Sequence, residues 1–154
     1  MIKIGSARIE TNIFLAPLAG VADLSFRLIA REHGAGFAFF EMTDTNCLVR
    51  GQGKNKDLMM VHPDDRPIAA QLLGNDPDDA LKAAKMLIPM TDPLFIDLNA
   101  ACPVQKVQRK KAGAYLISEP EKLYAIIDKL ANGIDRPVTV KLRIGYNEVD
   151  LDWI

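Results

Sequence analysis

Short apolar runs alternate along the chain with longer segments in which apolar residues recur at helical spacing. Most of the short runs are continuously apolar, which is typical of strands that are buried on both faces of a parallel sheet. The pattern predicts five strands, at Ile13–Ala16, Gly36–Phe40, Ile68–Leu72, Leu94–Leu98 and Val138–Leu142.

Helical segments separate these runs, and two of them carry recognisable start positions. Asp76 supplies an N-cap and Pro77 a first-turn proline, both of which are typical of a helix start. Ser118 and Glu121 have the spacing of a capping box. Helices are therefore predicted over Asp23–Glu32, from Asp76 to about Ile88, from Ser118 to Gly133, and over a short stretch after Thr43.

Strands that alternate with helices, without an antiparallel hairpin pattern, predict a parallel α/β sheet. A doubly wound sheet and a (β/α)8 barrel both fit, but the first strand is followed by Ala16-Pro17-Leu18-Ala19-Gly20 rather than by Gly-x-Gly-x-x-Gly, which disfavours a dinucleotide-binding sheet. A complete barrel needs about 250 residues. We therefore predict a partial (β/α)8 TIM barrel of about five parallel strands, with residues 1–154 as the N-terminal portion of a truncated catalytic domain.

Composition and charge narrow the possible functions. The chain has 19 basic and 20 acidic residues and a formal net charge of −1, so it has no overall electrostatic preference for nucleic acid. Cys47 and Cys102 lack a CxxC partner, and neither a structural zinc site nor a disulfide is expected. The N-terminus does not read as a signal peptide, and no apolar run is long enough to span a membrane. A cytoplasmic location is the expectation.

Polar and reactive residues recur where the predicted strands end. The carboxyl ends of parallel strands carry the working residues in both barrel and doubly wound folds. We therefore expect one site to be assembled from the residues at these ends, namely Pro17–Gly20, Glu41–Thr43, Gln71–Gly74, Asn99–Cys102 and Lys141–Gly145.

Four of these segments resemble motifs of one enzyme family, the tRNA-dihydrouridine synthases. "APLAGVADLSFR" resembles the family's opening "APMAGVTDxxFR", and "AAQLLG", "DLNAACPVQKV…KKAGAYL" and "VTVKLRIG" resemble its later motifs, in the same order and at similar spacing. The most discriminating element is Asn-x-x-Cys-Pro, at Asn99 to Pro103. Two departures are Ala101, where the family usually has glycine, and Leu18, where methionine is usual.

The resemblance implies an FMN-dependent barrel that oxidises NADPH and reduces uridine in tRNA to 5,6-dihydrouridine. It also implies roles for eight residues. Cys102 would be the general acid; Asn99 and Arg143 would contact the substrate; and the flavin would be bound by Ala16, Pro17, Leu18, Gln71 and Lys141.

This chemistry can be reasoned from the residue types. Reduction of the uracil C5=C6 bond requires a hydride, which a reduced flavin supplies and a side chain cannot. It also requires a proton from an acid on the opposite face. Free thiols have a pKa of about 8.5 and are mostly protonated at neutral pH. An asparagine offers a donor and an acceptor to a pyrimidine edge, and a lysine stabilises negative charge on a reduced ring.

A basic segment follows the cysteine and contains Lys106, Arg109, Lys110 and Lys111. It is expected to contact the tRNA backbone while the target base is turned out of its stack. Glu41 and Asn46 are weaker candidates for lining the pocket. No metal and no membrane contact is expected.

Two other functions are compatible with the residues. One is a flavin oxidoreductase of the dihydroorotate or dihydropyrimidine type that acts on a small molecule. The other is a non-catalytic half-barrel that self-associates through its exposed edges. The family's later phosphate-binding loops and helical tRNA-binding domain have no counterpart in these 154 residues, so we expect the chain alone to be inactive and to bind FMN weakly or not at all.

Overall fold

The computed structural model describes residues 1–52 and 55–146. The chain begins with a two-stranded hairpin and continues with helices that connect parallel strands. In chain order the elements are β1 (Ile2–Ile4), β2 (Ala7–Ile9), α1 (Leu24–Glu32), β3 (Ala38–Phe39), β4 (Thr43–Asp44), α2 (Thr45–Val49), α3 (Asn55–Leu58), β5 (Ile68–Leu73), α4 (Pro77–Thr91), β6 (Ile96–Asn99), α5 (Gln105–Gln108), a 3₁₀ helix (Gly113–Ser118), α6 (Pro120–Gly133) and β7 (Val138–Lys141).

The main sheet is entirely parallel. Strands β3, β5, β6 and β7 lie side by side in chain order, and β4 pairs with β5 beyond the end of β3. A doubly wound sheet would reverse its strand order at a switch point, and this sheet does not. Helices α4 and α6 pack against each other. The predicted α/β class is therefore confirmed, and the arrangement is that of part of a barrel wall.

The two faces of the sheet have different surroundings. The larger apolar core contains the sheet residues Ala70, Leu72, Ile96 and Leu98 together with the buried sides of α4 and α6. Strand residues alternate between faces, so the neighbouring positions Ala69, Gln71, Phe95 and Asp97 point to the other side, which would be the barrel interior. The helices thus cover one face and leave the second for a binding site.

The N-terminal part of the chain differs from the prediction. An antiparallel hairpin pairs Ile2 with Ile9, because Gly5 adopts a positive φ of 56° that allows a tight turn. The predicted strand Ile13–Ala16 is reduced to a single bridge between Leu15 and Ala38. Ile13 is 76% exposed, and Pro17, which directly follows the predicted strand, has no backbone N–H to donate. The apolar run therefore does not form a regular strand.

The helix predictions are largely confirmed. The Asp23 side chain caps α1, and the Asp76 side chain caps α4, which continues to Thr91. The predicted short helix after Thr43 is α2. The capping box at Ser118 is wrong, because the 3₁₀ helix runs directly into α6 and the Ser118 hydroxyl donates to the Tyr115 carbonyl instead.

A buried ion network holds α1 against the segment before β5. The Arg27 side chain is fully buried, and its Nε donates to Asp65 Oδ2 at 2.7 Å. Its other nitrogens donate to the carbonyls of Ala22 and Met60, so each donor group is satisfied. Arg31 donates to the second oxygen of Asp65 at 3.2 Å.

Within the described part of the chain, no helix is long and apolar enough to cross a membrane.

Candidate active site

A polar layer crosses the open face of the sheet within strands β5, β6 and β7. Gln71, Asp97 and Thr139 are in register on β5, β6 and β7. Gln71 Nε2 donates to Asp97 Oδ2 at 2.6 Å, and Thr139 Oγ1 donates to Asp97 Oδ1 at 2.6 Å. The interior of a TIM barrel is usually filled by bulky apolar side chains, so a hydrogen-bonded polar layer at this depth indicates a functional requirement.

Aromatic residues form the floor beneath this layer. The rings of Phe37 and Phe95 are stacked with centroids 5.5 Å apart, and Phe14 and Phe39 pack around them. Above the floor is a cavity of about 360 Å³, which we call the aromatic cavity. Its lining includes Phe14, Ala16, Pro17, Phe39, Gln71, Phe95, Asp97, Thr139 and Lys141.

A second cavity of about 480 Å³ adjoins the first, and we call it the cysteine cavity. Pro17, Gln71 and Lys141 line both cavities. The cysteine cavity is also lined by Leu18, Asn99, Cys102, Val104, Leu142 and Arg143.

All eight residues to which the family resemblance assigns a role line one or both cavities. Ala16 lines the aromatic cavity only, and Cys102 lines the cysteine cavity only. The other six are Pro17, Leu18, Gln71, Asn99, Lys141 and Arg143, and each lines the cysteine cavity. They come from four separate segments of the chain, which meet because parallel strands end at the same edge of the sheet. The partly buried Cys102 therefore faces a space that Pro17, Gln71 and Lys141 also border.

Asn99 shapes the loop that carries the cysteine. Its Oδ1 accepts hydrogen bonds from the backbone N–H groups of Ala101 at 3.0 Å and Cys102 at 2.9 Å. Its Nδ2 donates to Gln71 Oε1 at 2.8 Å and contacts Met42 Sδ at 3.6 Å. Because Asn99 is only 7% exposed, these bonds hold both the amide group and the loop in one orientation.

Gly113 supports the same loop from the other side. A Cβ at this position would lie 2.7 Å from the Cys102 carbonyl oxygen, and its φ of 62° disfavours any side chain. The next residue, Ala114, donates its N–H to that carbonyl at 3.0 Å. The Ala-Gly-Ala segment therefore fits tightly against the backbone of Cys102, which explains its place in the motif.

Burial raises the pKa of Asp97 above its ordinary value, although hydrogen bonds from Thr139 and Gln71 and the charge of Lys141 oppose the increase. The stability that this group contributes is therefore complete below its ordinary pKa and is lost as the pH rises through the folded-state pKa. Asp97→Asn abolishes this titration. We expect the free energy of unfolding of the variant, relative to the parent, to increase as the pH rises through that window in urea titrations.

Asp44 provides a control, because its pKa is shifted in the opposite direction from that of Asp97. Burial raises the pKa of its carboxyl, but the hydrogen bonds from Lys110 and from the Cys47 N–H outweigh that effect and lower the pKa below its ordinary value. Its contribution is complete above the ordinary pKa and is lost as the pH falls through the folded-state pKa. Asp44→Asn should therefore lose stability relative to the parent as the pH rises, and equal slopes for the two variants would contradict the assignment.

Sequence reasoning missed Asp97 and Thr139. An aspartate inside the buried run from Leu94 to Leu98 was the available indication, since carboxylates are seldom buried without partners. Glu41 is buried and accepts from the Gly20 N–H at 2.6 Å, but it lines neither cavity. Asn46 lines a separate surface cavity and donates to Asp79, so it is also outside this site.

The basic segment follows Val104, which lines the cysteine cavity. Lys106, Arg109, Lys110 and Lys111 are all exposed. Lys110 forms an ion pair with Asp44 at 2.7 Å, while the other three have no ion pair with any residue that the structure describes. Within those residues, no group of three or more His, Cys, Asp and Glu side chains is arranged to hold a metal ion.

Comparison with known proteins shows which family this chain resembles. Residues 14–152 match the family described as dihydrouridine synthase (Dus). A protein named "Probable tRNA-dihydrouridine synthase" from Treponema pallidum is 35% identical over 99% of this chain and 46% of its own length. The proteins named tRNA-dihydrouridine synthase B from Pasteurella multocida and Escherichia coli K12 are 38% and 36% identical, over 95% and 94% of this chain and 44% of their own lengths.

These relatives are more than twice as long as the aligned part, so the chain spans less than half of their length. The family match nevertheless covers nearly all of the 154 residues and includes each of the strand ends that form the two cavities. The chain belongs to the dihydrouridine synthase family, and its parallel sheet is part of that family's TIM barrel.

Proposed function

We propose that the protein containing this chain reduces uridine in tRNA to 5,6-dihydrouridine, with FMN as cofactor and NADPH as reductant. The observation that carries the proposal is the joining of the cysteine cavity to the aromatic cavity through Pro17, Gln71 and Lys141. A thiol and a site suited to a flat ring therefore share one space. The tRNA substrate implies action in the cytoplasm.

The aromatic cavity suits the ring system of a flavin. Phe39 and Phe95 provide an apolar surface. The Gln71 amide bonds to Asp97 and Asn99, and its second N–H and its second oxygen lone pair would bond to a polar ring edge. Lys141 places a cation at the boundary between the two cavities, where it would stabilise negative charge. When bound, FMN supplies the hydride that reduces C6 of the uracil ring.

The residues of the cysteine cavity would handle the proton and the substrate base. Cys102 would donate its thiol proton to C5 while hydride reaches C6, so that the C5=C6 double bond becomes a single bond, and the thiolate would then recover a proton from solvent. Arg143 would border the base. Asn99 has one N–H directed at the Met42 sulfur, which is a weak acceptor, and this N–H is the one available to a uracil carbonyl.

The rim of the cysteine cavity fits a base that has been turned out of folded RNA. Leu18, Val104 and Leu142 line the cavity and are 45%, 55% and 42% exposed. Apolar side chains of this kind contact the faces of an extruded base. The basic segment that follows Val104 would hold the flanking phosphates.

The proposal is tested by an assay of the complete gene product. We expect a yellow protein that oxidises NADPH and forms dihydrouridine when it is given tRNA lacking the modification. Free uracil, orotate and uridine serve as competing substrates. Turnover of a free pyrimidine without turnover of tRNA would contradict the proposal and would favour the small-molecule oxidoreductase.

Replacing Lys106 and Lys111 by glutamine should weaken tRNA binding and reduce its dependence on salt. Each lysine that contacts a phosphate releases a counterion, so the slope of log K against log salt should fall by about 1 per lysine. Binding is measured by fluorescence anisotropy with labelled tRNA over a series of salt concentrations.

Lys82→Gln/Lys85→Gln is the matched control, because both lysines lie on α4, at the helix-covered face of the sheet. This variant loses the same charge but should keep the parental slope. If the two double variants lower the slope equally, the loss reflects net charge and the basic segment is not a contact surface.

A further inference from the structure

A continuous hydrogen-bond chain connects the polar layer of the site to the cysteine loop. Thr139 and Gln71 both donate to Asp97, at 2.6 Å each. Asn99 donates to Gln71 at 2.8 Å and accepts from the N–H groups of Ala101 and Cys102. The chain crosses β5, β6 and β7, and its side chains are buried or partly buried.

The direction of this chain is determined at both ends. Backbone N–H groups can only donate, so the atom of Asn99 that faces them must be its carbonyl oxygen. The Asn99 amide nitrogen then faces Gln71, which must present its own oxygen there and its nitrogen to the next partner. That partner is Asp97, whose carboxylate oxygen accepts. Each amide orientation follows from its neighbour, and the chain needs an acceptor where it ends.

We propose that Asp97 is a positioning residue for Cys102, because its carboxyl group is the terminal acceptor that holds Gln71 and Asn99 in the orientation that fixes the cysteine loop. The proposal rests on the proposed function only where it treats Cys102 as the proton donor. The hydrogen-bond chain itself requires neither flavin nor RNA.

Substitutions in this hydrogen-bond chain can separate the effect of hydrogen-bond direction from the effect of charge. In Asp97→Asn, the side-chain oxygen still accepts the hydrogen bond from Gln71. The new NH₂ group can donate to the Thr139 hydroxyl, which both donates and accepts. Adding Thr139→Val removes that acceptor, so the introduced amide must either leave a buried donor unsatisfied or turn its nitrogen toward Gln71. Asp97→Leu removes the terminal acceptor without a replacement.

The experiment measures hydrogen exchange by mass spectrometry on the complete gene product without added flavin or RNA. The reporter peptides span residues 98–106, which contain the Ala101 and Cys102 amides, and α4 peptides report global opening. The rate at which iodoacetamide alkylates Cys102, read from the peptide that contains it, is a second readout and should change in the same variants. For Asp97→Leu and Asp97→Asn/Thr139→Val we expect exchange in the reporter peptides to be faster by about fivefold or more, with α4 unchanged.

Asp97→Asn alone and Thr139→Val alone should stay within about twofold of the parent, because the bond from Gln71 to residue 97 survives in both. Parental exchange in the Asp97→Asn/Thr139→Val variant would overturn the proposal, and so would equal acceleration by Asp97→Asn alone. That double variant preserves side-chain volume and decides the matter if Asp97→Leu does not fold. A failure of the tRNA assay would leave these results unaffected, so the two proposals fail separately.

Discussion

Replacement of Cys102 by alanine is expected to lower the rate of dihydrouridine formation by about 10²–10⁴-fold, the usual contribution of a general acid, while FMN remains bound. Cys102 lines the cysteine cavity and is absent from the lining of the aromatic cavity, so its loss removes the proton without removing contacts to the flavin. The measurement is a single turnover in which added tRNA reoxidises the NADPH-reduced enzyme, with flavin content followed by absorbance.

Cys47→Ala is the matched control for this experiment. Cys47 lies on α2 and borders neither cavity, and it should therefore have the parental rate. Cys102→Ser should also be slow, because a hydroxyl releases its proton far less readily than a thiol. A Cys102→Ala enzyme that turns over at the parental rate would remove the acid assignment.

Replacement of Arg27 by methionine is expected to lower the free energy of unfolding by about 3–5 kcal/mol, the usual effect of breaking a buried ion pair. The change removes the 2.7 Å bond to Asp65 and leaves the carbonyls of Ala22 and Met60 without their donor. It also removes the guanidinium that lies 4.9 Å above the Phe40 ring. Urea unfolding, followed by circular dichroism, measures the loss.

The comparison variant is Lys129→Met, which breaks the exposed ion pair between Lys129 and Asp78. Surface pairs of this kind contribute little, so no measurable change is expected. Asp65→Asn should destabilise strongly, because it leaves the buried Arg27 charge without its counter-ion. The two substitutions at Arg27 and Asp65 combined should cost less than the sum of the single changes. Additive costs would show that the pair does not act as a unit.

The parallel strands and their helices could be predicted because their patterns are local. The predicted runs Ile68–Leu72 and Leu94–Leu98 overlap the observed strands Ile68–Leu73 and Ile96–Asn99. The caps at Asp23 and Asp76 lie next to the helices that they begin. Ser118 had the same local pattern and was predicted wrongly, because the 3₁₀ helix before it offers its hydroxyl a nearer carbonyl. Ile13–Ala16 also failed, since an apolar run forms a strand only where neighbouring strands provide partners.

The sequence predicted which residues line the site better than it predicted the hydrogen bonds between them. The strand-end rule and the motif resemblance together selected eight residues that line two adjoining cavities. Neither indicated that Gln71 and Thr139 both donate hydrogen bonds to Asp97. Their role depends on the register of β5, β6 and β7, and register is a property of strand pairing between distant parts of the chain.

The sequence by itself determined the alternation of strands and helices, the residue types at the strand ends and the family, since these depend on neighbouring residues or on motif order. The tertiary structure alone decided that Arg27 is buried with Asp65, that Gly113 lies against Cys102, and that Gln71 is hydrogen-bonded to both Asp97 and Asn99 behind the cysteine. The physical reason is that burial and hydrogen-bond direction arise only when segments far apart in the chain are packed together.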